Sequence, residues 1–208
     1  MLNWWFKTPH LIQTPTLLLN LNTFFSREAL ETIVYLIDVK KVKDKFDLIR
    51  FDHSGVVSAN MFDETWKRFV VKMATGAGKT KVMSLALAWS FYHKLYEDNS
   101  PMARNFLVIA PNIIVLDRIY KDFQGLRIFL KDDPVLPHDG FDGRNWKSDF
   151  QIDLHIQDDV NITNPVGNIF LTNIHRVYSG NDIPASASDD NSMDYFLGPK
   201  PTGATMDS

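Results

Sequence analysis

Gly76, Gly78, Lys79 and Thr80 stand together in the string M-A-T-G-A-G-K-T, Met73 to Thr80. Two residues without side chains, a cation and a hydroxyl in this spacing suit the binding of phosphate. Gly76 and Gly78 can take backbone conformations that a Cβ would obstruct, so N–H groups can turn inward around anionic oxygens. Lys79 carries a point charge toward the outer phosphates of a nucleotide, and the Thr80 hydroxyl can ligate Mg²⁺. Thr75 and Ala77 complete the loop. The alternative is a glycine-rich turn with an incidental lysine. G-x-G-K-[ST] arises by chance in a chain this long on the order of one time in a hundred. The wider pattern G-x-x-x-x-G-K-[ST] asks for glycine at position 73, where this chain has Met73.

Such a loop needs a strand before it and a helix after it. Phe69-Val70-Val71-Lys72-Met73 is a short β-rich run, and it reads as a buried strand. Lys79 to about Tyr96 is rich in helix formers and apolar on nearly every face, which predicts a buried helix. That helix would aim its positive end at the bound anion. Downstream, Asn105–Ala110 reads as a strand stopped by Pro111, and Ile113–Phe123 as a helix with Ile113, Leu116, Tyr120 and Phe123 on one stripe. Lys131 to Trp146, rich in Asp, Pro and Gly, reads as a surface loop. Phe150 to Ile156 alternates, and Asn168–Asn173 reads as a further buried strand. Strands alternating with helices imply a parallel α/β sheet. Upstream, Ser26 caps a helix expected from about Arg27 to Lys43, with Lys40, Lys41 and Lys43 as its solvated end. Trp4, Trp5 and Phe6 are expected to pack or to form a flap. The expected organisation is an N-terminal extension (1–60), the loop-bearing unit (61–180) and a loop or disordered tail (181–208), poor in large apolar residues.

Composition narrows the class. The chain of 208 residues is 45% hydrophobic and 23% charged, as in a globular protein with a core. It has no cysteine, which excludes disulfides and thiolate metal sites. No apolar run approaches the ~20 residues of a membrane helix, and no secretory signal opens the chain, so a cytoplasmic location is expected. The net charge of −3 comes from the stretch beyond Asn181, where Asp182, Asp189, Asp190, Asp194 and Asp207 face only Lys200. The rest is close to neutral, so any nucleic-acid contact must use a few placed residues.

The loop resembles motif I of superfamily 2 helicases and translocases, where T-G-x-G-K-T is typical. The full string is similar to those of type I and type III restriction subunits. F-D-E-T-W-K-R-F (Phe62–Phe69), F-L-V-I-A-P-N-I-I-V-L-D-R-I-Y-K-D-F (Phe106–Phe123) and I-F-L-T-N-I-H-R-V-Y (Ile169–Tyr178) resemble the type III branch. The resemblance covers about Phe62 to Tyr178. It implies a RecA-like P-loop domain: a mostly parallel sheet flanked by helices, incomplete at the C-terminal end. It implies ATP and Mg²⁺ as cofactors, double-stranded DNA as a partner, and a methyltransferase (modification) subunit. Thr75, Gly76, Ala77, Gly78, Lys79 and Thr80 would bind ATP, with Thr80 reaching the Mg²⁺. Pro111, Asn112, Thr172 and Asn173 would contact a nucleic-acid backbone. For Pro111-Asn112, a plain strand-to-helix turn with an Asn cap is an equal alternative. His175-Arg176 reads as the start of a surface helix in preference to a phosphate contact.

The acidic D-E-x-H box that hydrolysis needs does not follow Thr80. Asp189, Asp190 and Asp194 lack a preceding apolar run, and Asp63-Glu64 comes before the loop. No catalytic residue is therefore assigned, and the chain reads as the first part of a larger motor, not competent for turnover alone. His138, Asp139, Asp142, Asp153 and His155 have no metal-ligand spacing. Two rival readings are another P-loop NTPase or kinase, and a non-catalytic nucleotide-binding regulatory module.

Overall fold

The computed structural model describes residues 2–7, 24–51, 69–131, 135–136, 142–157 and 162–177. In chain order, α1 (Leu2–Lys7), α2 (Phe24–Val34), α3 (Lys45–Phe51) and α4 (Lys79–Tyr96) precede β1 (Asn105–Ala110). Then come α5 (Ile113–Phe123), α6 (Arg127–Leu130), α7 (Trp146–Asp149), β2 (Asp153–Ile156) and β3 (Asn168–Asn173). The strands form a parallel sheet in the order β1-β3-β2. The α/β class with a parallel sheet therefore agrees with the sequence pattern.

Pairing registers Phe106 with Ile169 and Val108 with Leu171. Because side chains alternate across a strand, Val108, Ala110, Ile169 and Leu171 share one buried face. The apolar residues of α4 are spread around its axis, and Val82, Leu85, Ala88, Trp89, Phe91 and Tyr92 are all buried. Phe91, Phe129 and Phe150 form a ring cluster with centroids about 5 Å apart, 5.0 Å for Phe91–Phe150 and 4.9 Å for Phe129–Phe150. Burial pushes the Tyr92 phenol upward in pKa, and burial, then the hydrogen bond to Asp149, does the same for Tyr96. Both remain neutral packing groups.

Several expectations are corrected. Phe69–Met73 is irregular and outside the sheet, with Val70 91% exposed. β-branched residues favour a strand only where a neighbour supplies hydrogen bonds and cover, and none among the described residues does so. The helix expected over 27–43 starts at Phe24, and its α geometry ends at Val34. A π turn over Tyr35–Val39 follows, and Lys41 has a positive φ of 52°. Val42 N–H then donates to the Leu36 carbonyl at 3.0 Å, and Val42 is 1% exposed. The segment 131–146 is not all surface, because Val135 and Leu136 are fully buried. Ile113 is exposed, leaving Leu116 and Phe123 as the buried stripe of α5. Trp4 and Trp5 pack in the core, and Trp5 Nε1 donates to the Val135 carbonyl at 2.6 Å. The stretches 52–60 and 181–208 and the string Phe62–Arg68 lie outside the described residues.

α2 and its π turn lie along α4. The Lys41 ammonium, 2.9 Å from Asp38, holds that carboxyl below the usual carboxylate range, with His93 adding to the effect. Desolvation opposes it. A depressed folded pKa stabilises above the unfolded value, and the contribution disappears as pH falls through the folded value. Acid titration followed by far-UV circular dichroism should therefore show Asp38→Asn less sensitive to low pH than the wild-type chain. Identical acid limbs would remove Asp38 from that account.

Candidate phosphate loop and sheet edge

Thr75, Gly76, Ala77, Gly78, Lys79 and Thr80 form one tight bend running into α4. Ala77 N–H donates to the Ala74 carbonyl at 3.2 Å and closes the turn. Gly76 and Gly78 have φ of 80° and 86°, in the left-handed region where a Cβ is strained. Gly78 is the N-cap of α4, and its carbonyl accepts from Val82 N–H at 3.0 Å. The first turn of α4 holds no acid to compete for its free N–H groups. Lys79 is exposed, with Nζ donating to the Ala74 carbonyl at 3.0 Å. Its cation therefore bends back over the loop. Thr80 is half-buried one residue further on. These groups fit a polyphosphate: an 18-residue helix ends on the loop, and a cation lies over it.

Among the described residues, no group of three or more His, Asp or Glu could hold a metal ion.

The structure also places α2 beside the loop, which sequence reasoning missed. A groove of about 470 Å³ runs between the two, lined by Glu28, Thr32, Ile33, Val71, Met73 and Ala74. It is mostly apolar with few polar groups, and its size falls within the range of about 300–1,000 Å³ for small-molecule sites. The β-rich character of Phe69–Met73 was legible, but nothing in the spacing paired that run with α2.

Pro111, Asn112, Thr172 and Asn173 come together at the carboxyl edge of the sheet, because Ile109 pairs with Thr172 and Ala110 with Asn173. Pro111 and Asn112 are exposed, and Thr172 and Asn173 are half-buried. Asn112 Oδ1 accepts from Val115 N–H at 2.9 Å and caps α5. Asn173 Oδ1 accepts from Arg176 N–H at 3.2 Å and caps a 3-10 turn over Ile174–Arg176. His175 and Arg176 are exposed on that turn. Asn112→Ala should cost about 1 kcal/mol through loss of the cap, measured by urea unfolding. A change below about 0.3 kcal/mol would mean the cap contributes nothing.

His155 is buried, stacked on Phe170 at 5.0 Å, with Nε2 2.9 Å from Asn168 Oδ1. It is a satisfied core residue. Among the described residues, no helix is long and apolar enough to cross a membrane.

No curated protein and no solved structure matches the chain. A family model described as "Type III restriction enzyme, res subunit" matches residues 25–197, most of the chain.

Proposed function

Since the chain belongs to the family of type III restriction enzyme res subunits, we propose that it is the ATP-binding part of an ATP-dependent DNA translocase or helicase within such an enzyme. The observation that carries this reading is the loop Ala74–Thr80, with two left-handed glycines, a lysine folded over it and the start of α4 behind it. The fold is a RecA-like motor lobe. The triphosphate lies on the loop N–H groups and Lys79, and Thr80 ligates the Mg²⁺ carried by the nucleotide. The purine and ribose lie in the groove beside α2. Magnesium supplies charge neutralisation on the transferred phosphoryl group when bound.

Double-stranded DNA runs over the carboxyl edge of the sheet. Pro111 and Thr172 shape that edge, and the Nδ2 amides of Asn112 and Asn173 donate to backbone phosphates. Such contacts position a strand without reading its sequence, which suits a motor that must step along any DNA. Sequence choice then belongs to a modification (methyltransferase) partner. The enzyme works in the cytoplasm.

The test is phosphate release from ATP by the subunit carrying this chain, with and without duplex DNA. Stimulation of at least tenfold by DNA of arbitrary sequence supports the motor. Turnover indifferent to DNA supports another NTPase, and binding without turnover in the whole subunit supports a regulatory module.

A further inference from the structure

Ser26 lies in α2, far from the loop in sequence, yet it is 2% exposed and faces Gly78. A Cβ built on Gly78 would stand 3.5 Å from Ser26 Oγ. The same construction on Gly76 meets nothing within 4 Å. Among the described residues, Gly78 alone of the two loop glycines is therefore backed by another element. Gly78 is also the residue whose left-handed conformation starts α4 and whose carbonyl takes the first helical hydrogen bond, from Val82. Any rotation there re-aims the N–H groups of the loop.

The backing element is itself fixed along its length. Leu30 and Val34 of α2 are buried in the core. Within the π turn, Asp38 Oδ1 lies 3.4 Å from His93 Nε2, near the far end of α4. His93 Nδ1 is in turn 2.8 Å from Ser100 Oγ. The segment 26–38 thus braces α4 from Gly78 to His93. We infer that Ser26 is a positioning residue that holds Gly78, and with it the phosphate loop, in the conformation that receives polyphosphate. The inference rests on the nucleotide-binding reading of the loop. It requires a small side chain at position 26, since a longer one must displace Gly78.

The experiment is calorimetric titration of the whole chain with Mg²⁺ and inorganic tripolyphosphate, which has no base and reports on the loop alone. Ser26→Ala should bind within about twofold of the wild type, and Ser26→Leu at least tenfold more weakly, ~1.4 kcal/mol. A residue that only packed would lower the thermal midpoint of Ser26→Leu and leave the affinity of the folded chain unchanged; that result overturns the inference. If Ser26→Leu does not fold, amide hydrogen exchange decides in Ser26→Gly. Faster exchange at Gly78 and Lys79, with β3 unchanged, supports the brace, and unchanged exchange at Gly78 overturns it. Lys79→Ala separates the two levels. Tripolyphosphate binding that is equal in the wild type and Lys79→Ala, or absent from the wild type, removes the loop reading and Ser26 with it. Lys79-dependent binding that Ser26→Leu leaves intact removes Ser26 alone.

Discussion

Lys79→Ala is expected to lower the affinity of the chain for a non-hydrolysable ATP analogue with Mg²⁺ at least tenfold, ~1.4 kcal/mol in binding free energy. The ammonium is the only side-chain cation within the loop, so on the proposed reading its loss would remove the one side-chain charge that the loop offers to the outer phosphates. The fold should hardly notice. Lys79 is exposed, and the bond it loses, to the Ala74 carbonyl, lies at the surface. A surface hydrogen bond of this kind is worth roughly 0.5–1.5 kcal/mol at most. Calorimetric titration beside a urea melt separates the two effects. Equal affinity in a demonstrably folded variant would show that the polyphosphate, if bound, sits elsewhere.

Trp5→Ala costs about 3–5 kcal/mol of stability, the range for removing a large aromatic from a packed core. The indole is 1% exposed, and its Nε1 donates to the Val135 carbonyl. Truncation therefore opens a cavity and strands a carbonyl acceptor. Against a typical total of about 5–15 kcal/mol, that leaves a marginal or unfolded chain. Equilibrium urea unfolding gives the value, and a loss below about 1 kcal/mol would mean that the site collapses around the missing ring. A large loss would make α1 a part of the core and not a removable appendage.

What the sequence disclosed depended on whether the signal was local. The α4 helix, β1, α5 and β3 carry their own periodicity and punctuation, and the structure places them at or within a residue of the expected bounds. The bend of the loop was legible for the same reason, since Gly76 and Gly78 announce positive φ by residue type. Asn112 announced only that one of two roles was open, and the geometry shows the cap while the contact remains a proposal. The failures are non-local. Phe69–Met73 has strand propensity, but a strand exists only with a neighbour, and propensity does not say where that neighbour is. Val135 and Leu136 sit among Asp and Pro, so their window reads as polar surface, yet both are buried and the Val135 carbonyl accepts from Trp5. The meeting of Ser26 with Gly78 left no trace in spacing, because it joins two elements across a fold.

The Trp5–Val135 bond spans 130 positions. During synthesis the indole emerges first, and its acceptor follows about 6 to 26 s later at roughly 5–20 residues per second. For that interval the Trp5 indole lacks this acceptor, and β1 waits similarly for β3, its neighbour in the sheet. The nascent chain therefore carries two tryptophans and a bare strand edge past the ribosome before either can be covered. The last contacts that cover Trp5 and the β1 edge are thus made only after the later segments are synthesised.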